Sequence, residues 1–208
     1  MKLYEERKEK WLPKVIQLLD QILTKVSPVG LTVRSKEIGE KILKEMLNRG
    51  WRVAHDISGV HVDPFADLWL LVIGGRLYRG VSFKPVKGKI EKGGEERYDF
   101  PIALGMYQHG ALEVEYDGLG KIKLPTLHPI IQQMGLDPWK YYKEVRDGIN
   151  VQALFRFNRY RDEQHLMILL DRRLYTAMSV YLRYYMDTTK KIVCRNWDEL
   201  VSVIRKLI

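Results

Sequence analysis

A carboxylate, a small hydroxyl side chain and a lysine stand at Asp67, Ser82 and Lys84, on either side of the pair Gly74-Gly75. A Gly-Gly pair between apolar runs is typical of a β-hairpin with a two-residue turn. With that turn, Asp67 lies directly opposite Ser82, and Lys84 shares their face because side chains alternate along a strand. A carboxylate, a small polar group and a lysine that meet at one end of an otherwise apolar hairpin suit a divalent metal ion and a phosphate.

The order of these residues resembles the PD-(D/E)XK nuclease superfamily, in which an Asp, a hairpin and then Glu-x-Lys form the site. The preceding segment, residues 35–54, is similar to the first helix and first strand of archaeal Holliday junction resolvases. The resemblance therefore covers residues 35 to 84. The chain departs from the family pattern at Ser82, where the family has Glu, and at Ala66, where it has Pro.

The resemblance implies an α/β fold with a restriction-endonuclease-like mixed sheet flanked by helices, and with added N- and C-terminal elements. It implies a metal-dependent DNA endonuclease that acts on duplex or branched DNA as a homodimer. Asp67 and Glu40 would bind Mg²⁺ or Mn²⁺, Lys84 would assist the nucleophile, and Ser82 would supply a weaker ligand or a hydrogen bond. The chain is also similar to nuclease-like proteins of viruses that infect hyperthermophilic archaea.

Two glutamates compete for the helical position of this metal site. Glu40 lies three and seven residues before Leu43 and Leu47, so it borders the apolar stripe of the predicted helix. Glu37 shares its stripe with Lys41 and is expected to face solvent. Glu40 is therefore the candidate ligand, although an ordinary charge at the edge of an amphipathic helix has the same pattern.

Two further sets of residues are alternative candidates for the metal site. His61 and Asp63 precede Asp67 and would align on an extended backbone, but a polar loop between strands explains them better. Asp99 and Glu113 have superfamily-like spacing, but the lysine position that follows holds Glu115, and no suitable helix directly precedes the pair. We rank both sets below Asp67, Ser82 and Lys84.

A basic segment with interleaved aromatic residues is the predicted nucleic-acid contact. Such patches bind phosphates and stack on bases. The alternative is a surface strand whose arginines form salt bridges with Asp162, Glu163 or Asp171. The predicted contact residues are Arg156, Arg159, Arg161, Arg172 and Arg173.

Composition sets the partner class. The 208 residues carry 35 Lys and Arg against 26 Asp and Glu, a net charge of +9, which favours a polyanionic partner. A hydrophobic content of 46% suffices for a core, and no apolar run is long enough to span a bilayer. The N-terminus is charged, and the single Cys194 excludes an intrachain disulfide. We expect a cytoplasmic protein without membrane contact, located in the host cytoplasm if it is viral.

The length and the alternation of predicted strands and helices indicate one α/β domain over residues 1–208, and the resemblance implies a nuclease-like core at about 31–160 within it. A helix at 4–26 precedes this core, and a β-α-β-α extension at 161–208 follows it. A helix at 36–48 with Ser35 as N-cap, a strand at 51–57 and a short strand at 191–194 are also expected. The charged, Gly-rich segment 84–97 predicts a mobile loop.

Two functions other than a nuclease fit the sequence. The nuclease fold could be kept without the chemistry, which would leave a DNA-binding protein. Alternatively, residues 4–57 could form a winged-helix regulator, with a helix-turn-helix that opens in residues 31–39. Against the regulator, the helix after Ser35 is followed at once by a strand, with no separate recognition helix.

Overall fold

The computed structural model describes residues 2–57, 59–73, 89–92, 95–98, 100–109, 113–116, 120–123, 128–157, 166–182 and 191–208. The helices are α1 (Lys2–Leu23), α2 (Lys36–Asn48), α3 (His128–Gln133), α4 (Pro138–Phe155), α5 (Arg172–Leu182) and α6 (Trp197–Leu207). The strands are β1 (Val29–Val33), β2 (Val53–His55), β3 (Leu68–Val72), β4 (Lys89–Lys92), β5 (Glu95–Tyr98), β6 (Ile102–Gly105), β7 (Glu113–Tyr116), β8 (Gly120–Lys123) and β9 (Leu166–Leu169).

Five of the described strands form one sheet in the order β2-β3-β1-β6-β9, and each neighbouring pair is parallel. Val29 of β1 is level with Leu68 of β3 and Ile102 of β6, and Leu166 of β9 is level with Ile102. All five strands therefore end at the same edge, which we call the carboxyl edge, and begin at the opposite amino edge.

Helices cover both faces of this sheet, because side chains alternate along each strand. Val29, Leu31 and Val33 of β1 face a core that includes apolar residues of α1, α2 and α6. On the other face, Trp69 and Leu71 of β3 belong to a second core with residues of α4 and α5. The result is a three-layer α/β/α arrangement.

Two β-hairpins, β4-β5 and β7-β8, form separate antiparallel pairs. A small apolar cluster around Ile131 and Tyr142 joins α3 to the start of α4. Within the described part of the chain, none of the helices has both the length and the apolar character needed to cross a membrane.

Several predicted elements are confirmed. The helix over 36–48 begins after Ser35, whose hydroxyl accepts the Ile38 N–H at 3.3 Å, and it stops at Gly50, which has a φ of +84°. The final helix spans Trp197–Leu207 behind an N-cap at Asn196. The α/β class with helices on the sheet is also confirmed.

Other predictions differ from the described structure. The main sheet is parallel in its described strands, so the expected mixed, restriction-endonuclease-like sheet is not confirmed. Part of the expected loop at 84–97 forms β4 and β5, and residues 191–194 form no strand. The winged-helix alternative gains no support, because residues 29–33 form β1 inside the parallel sheet and α2 is followed by strand β2. Strand β9, which lies in the predicted segment 161–208, pairs with β6 in the main sheet.

Candidate functional site

Asp67 lies at the amino edge of the sheet, directly before β3. Its carbonyl accepts the Val29 N–H at 2.9 Å, its N–H donates to the Arg52 carbonyl at 2.8 Å, and its carboxylate accepts the Arg52 N–H at 3.2 Å. Asp67 is buried. The residue therefore links the starts of β1, β2 and β3, which is a structural use of the carboxylate that the sequence did not indicate.

The predicted cross-strand pairing of Asp67 with Ser82 is wrong, because β3 has no free edge beside it. Leu68 pairs with Val29 of β1 on one side and with Val53 of β2 on the other, both in parallel. An antiparallel hairpin partner needs one of these two edges. Ser82 and Lys84 themselves lie outside the described residues.

Glu40 lies in the first half of α2, toward the carboxyl edge and away from Asp67. Its side chain is 52% exposed, and its carboxylate is 3.7 Å from the Lys36 ammonium group. Glu37 pairs with Lys41 at 3.3 Å, as its position on the polar stripe predicted. Among the residues that the structure describes, no group of three or more His, Cys, Asp or Glu side chains is placed to hold a metal ion.

The alternative acidic sets have other positions. Asp63 accepts two hydrogen bonds of 2.9 Å from the Arg52 guanidinium, and His61 pairs through its backbone with His55. Burial favours the neutral form of Asp63, but the Phe65 N–H and Arg52 outweigh it and lower the pKa of this carboxyl. These contacts fit the polar-loop interpretation. Asp99 lies outside the described residues, and Glu113 and Glu115 lie on β7.

The predicted arginine patch is divided between two parts of the fold. Arg156 follows α4, next to Phe157, which packs against Gly30 in the amino half of β1. Arg172 and Arg173 begin α5, directly after β9, at the carboxyl edge. Arg159 and Arg161 lie outside the described residues.

Polar side chains gather at the carboxyl edge where the adjacent strands β6 and β9 end. His109 follows β6 and Asp171 follows β9, and the His109 Nε2 atom is 3.2 Å from the Asp171 Oδ2 atom. The other Asp171 oxygen accepts the Arg173 N–H at 2.7 Å, which fixes the carboxylate at the start of α5. His109 is 56% exposed, so a ligand in solvent can reach its imidazole.

A second group of side chains adjoins this His-Asp pair. The Tyr107 hydroxyl and the Arg173 guanidinium both hydrogen-bond Asp147 of α4, with the Arg173 contact at 3.2 Å. The guanidinium also lies 5.7 Å from the Tyr107 ring centre. Burial, followed by the hydrogen bond to Asp147, raises the pKa of Tyr107. The contact with Tyr107, together with the charge of Asp147, raises the pKa of Arg173, which stays cationic.

Asn150 fixes the backbone between these groups. Its side-chain oxygen accepts the Gln108 N–H at 2.6 Å, and its amide donates to the Arg146 carbonyl at 2.8 Å. Asn150 is fully buried. The segment that carries Tyr107 and His109 is thereby tied to α4, so both side chains are positioned by the core of the fold.

The arrangement combines a base, a cation and a phenol within one network. An exposed imidazole with a carboxylate partner can accept or donate a proton, and a guanidinium can bind a phosphate or carboxylate. In parallel α/β sheets, ligands bind outside the carboxyl ends of the strands. We therefore take Tyr107, His109, Asp147, Asp171 and Arg173 as the candidate site and call it the edge network.

Of the edge network, the sequence identified Arg173 as a contact residue and Asp171 as an acidic partner. It missed Tyr107, His109 and Asp147. The available signal was the position of polar residues directly after predicted strands, read together with the α/β class. Asp147 lies within a helix and carries no local signal of its role.

The chain matches no protein-family model and no curated protein. Among solved structures, it is similar to an S. cerevisiae Dbp5 variant bound to Gle1 and IP6, with a TM-score of 0.42, 12% identity, and coverage of 93% of this chain and 42% of that chain. The C-terminal domain of the DEAD-box protein Dbp5 gives 0.43 and 11%, with coverage of 91% and 90%. S. cerevisiae Dbp5 bound to RNA and ADP BeF3 gives 0.38 and 12%, with coverage of 93% and 41%. The chain thus spans less than half the length of two of these chains, and likeness at this level carries no inference about function.

Proposed function

We propose that this chain is a DNA-binding protein that contacts the phosphodiester backbone at the carboxyl edge, through His109, Arg172 and Arg173. The observation that carries this proposal is the position of Arg173. Asp147 holds its guanidinium at 3.2 Å beside the Tyr107 ring, while other guanidinium N–H groups remain for a second acceptor. An arginine held in this way loses little side-chain entropy when a phosphate binds.

Charge supports the same class of ligand. The chain has a net charge of +9, and Arg172 is exposed beside Arg173. Asp147 and Asp171 offset part of the positive charge at this edge, so we expect the contact to be local and other basic surfaces to add affinity. Phosphate contacts made by Arg and Lys release counterions, which makes such binding salt-dependent.

Cleavage of the bound DNA is a second candidate function, which the 3.2 Å contact between His109 and Asp171 favours. A neutral imidazole with a carboxylate partner can take a proton from water as the water oxygen attacks phosphorus. The P–O bond to the leaving oxygen then breaks, and Arg173 can stabilise charge on the phosphate oxygens.

The resemblance implies a different route, in which Asp67 and Glu40 hold Mg²⁺ or Mn²⁺ beside Ser82 and Lys84. This metal-dependent cleavage stays a proposal. Its described residues, Asp67 and Glu40, are separate from the edge network, so single substitutions distinguish the two routes.

Fluorescence anisotropy with duplex and four-way-junction DNA tests the binding proposal. We expect binding at about 50 mM salt that weakens by at least tenfold at about 200 mM. No binding at the lower salt, or binding indifferent to salt, would contradict it.

Incubation of the same DNA with Mg²⁺, Mn²⁺ or a chelator tests cleavage. Loss in His109→Gln but not in Asp67→Asn supports the edge network, and the reverse supports the metal route.

We also propose that the homodimer implied by the resemblance forms through the corner between α3 and α4. Four large apolar side chains are unusually exposed there: Ile130 (54%), Met134 (69%), Leu136 (47%) and Trp139 (72%). Apolar patches of this kind mark interaction surfaces, and Trp and Met are enriched in them. Charges of both signs stand nearby at Asp137, Lys140, Lys143 and Glu144, so an identical surface can oppose them favourably.

Sedimentation equilibrium tests the dimer. We expect the wild type to dimerise and a Met134→Ser, Trp139→Ser double variant to be monomeric. Leu47→Ser is the matched control, because Leu47 is a 51% exposed apolar residue on α2, away from this corner. A monomeric wild type, or a double variant that dimerises as well as the control, would exclude this interface.

A further inference from the structure

A groove of about 470 Å³ runs between α1 and α6, on the sheet face opposite to α4 and α5. Lys14 from α1 and both Arg205 and Lys206 from α6 line it, with Asp198 as its acidic residue. The groove thus has three cations against one anion, and its volume falls within the range of ligand sites. It shares no residue with the edge network.

Among the described residues, the three cations of this groove make no ion pair, as is also true of other exposed cations such as Lys44 and Arg172, whereas several arginines elsewhere are paired. Arg49 pairs with Asp20, Arg52 with Asp63 and Arg173 with Asp147. In the part of the chain that the structure describes, Lys14, Arg205 and Lys206 make no ion pair. Their charges are therefore available to a ligand, and bringing an anion to them breaks no existing pair.

The remaining lining adds an aromatic ring and an amide. Trp197 is half-buried against the core at the start of α6, and Gln17 is exposed on α1. Trp rings stack on nucleic-acid bases, which have a π-face whatever their sequence, and amides hydrogen-bond base edges. A ligand with a phosphate beside a planar base can pair with the unpaired cations and stack on this ring.

We propose that the α1–α6 groove binds a nucleotide unit, with the phosphate at Lys14 and Arg205 and the base at Trp197. The unit belongs either to a free nucleotide or to a nucleic-acid strand. In the second case the proposal rests on the DNA-binding function above, and the groove supplies a contact surface separate from the edge network.

Fluorescence titration of the full chain tests this proposal, because Trp197 reports on the groove. The probes are thymidine monophosphate, a twelve-residue oligothymidylate and inorganic phosphate. We expect a Lys14→Gln, Arg205→Gln double variant to bind the nucleotide or the oligonucleotide at least tenfold more weakly. Trp197→Phe should remove most of the fluorescence change. A Lys36→Gln, Lys41→Gln double variant, in exposed ion-paired lysines of α2, is the matched control and should bind as the wild type does.

The outcomes separate the two ligand sources and the two sites. Equal affinity for both thymidylate probes identifies a free nucleotide, and preference for the oligonucleotide identifies a strand. If the Lys14→Gln, Arg205→Gln variant binds with wild-type affinity, the nucleotide site in the groove is excluded. Binding of inorganic phosphate but of neither thymidylate probe excludes it as well. If that variant binds as the wild type does while Arg173→Gln loses DNA, the DNA-binding function stands without the groove.

Discussion

At the scale of single residues, substitutions of Asp67 distinguish a structural role of its carboxylate from a catalytic one. It accepts the Arg52 N–H at 3.2 Å and is buried. We expect Asp67→Ala to lower the free energy of unfolding by about 1–3 kcal/mol, because the part-buried Arg52 N–H loses its acceptor. Asp67→Asn, which keeps an oxygen acceptor, should lose less.

Urea denaturation of both Asp67 variants measures this, and DNA affinity of the folded variants completes the test. We expect that affinity to match the wild type. A stable Asp67→Ala protein that has lost metal-dependent cleavage would instead place Asp67 in a catalytic site, as the resemblance implies.

His55 gives a pH-dependent prediction at the same scale. Burial, followed by the charge of His61, lowers its pKa below 6.5, and its Nδ1 atom accepts the Ile57 N–H at 3.4 Å. The folded protein therefore favours neutral His55. The stabilisation is complete above about pH 6.5 and is lost as the pH falls through the lower pKa of the folded state.

NMR titration of the His55 ring measures this pKa directly. We expect a midpoint below 6.5 in the wild type and a higher midpoint in His61→Gln, because the neighbouring positive charge is then absent while burial remains. A wild-type midpoint at or above 6.5 would contradict the half-buried, neutral state of His55.

At the scale of elements, local sequence patterns predicted helices such as α2 correctly, but they did not predict which strands pair. Ser35 and Gly50 bound α2 through hydrogen bonds and backbone angles within a few residues, so the sequence contains that information. The partners of β3 are β1 and β2, which both precede it in the chain and run parallel to it. The Gly74-Gly75 pair suggested a local hairpin, but a strand buried between two parallel neighbours has no edge for it.

Local sequence patterns are also insufficient to predict the edge network. The sequence supplied Arg173 and Asp171, which lie together at the start of α5. His109 and Asp147 reach them only through the order of β6 and β9 and the packing of α4, which no local pattern records. Long-range pairing therefore decides which of the many charged residues form a site.

The contact between β1 and the turn after α4 gives a prediction for packing between elements. A Cβ atom on Gly30 would lie 2.3 to 2.6 Å from ring carbons of Phe157. We expect Gly30→Ala to destabilise the fold by about 1–3 kcal/mol, since the core must move to admit one methyl group. Phe157→Leu, which removes the ring, should make Gly30→Ala cost less.

A double-mutant cycle in urea measures this coupling. The destabilisation of the Gly30→Ala, Phe157→Leu protein should be smaller than the two single effects combined, because both substitutions act on one contact. Additive effects would show that Gly30 of β1 and Phe157 after α4 do not approach as closely as the structure places them.

At the scale of the whole molecule, charge and topology favour the same class of ligand. The net charge of +9 attracts polyanions, and the parallel sheet brings polar loops to one edge. The edge network and the α1–α6 groove lie on different parts of the fold. A nucleic-acid strand that contacted both sites would wrap around the carboxyl edge. A ligand that bound one site would depend on the residues of that site alone.

The most direct test of the account compares DNA affinity in two sets of arginine variants. Arg172→Gln, Arg173→Gln changes the carboxyl edge. Arg49→Gln changes an arginine that is also paired with an aspartate, Asp20 at 3.0 Å, but that follows the end of α2. We predict that the double variant binds duplex DNA about tenfold more weakly at low salt, with a salt slope reduced by about one to two, and that Arg49→Gln binds as the wild type does. Equal affinity in all three proteins, or an equal loss in both variants, would contradict a DNA-binding site at the carboxyl edge.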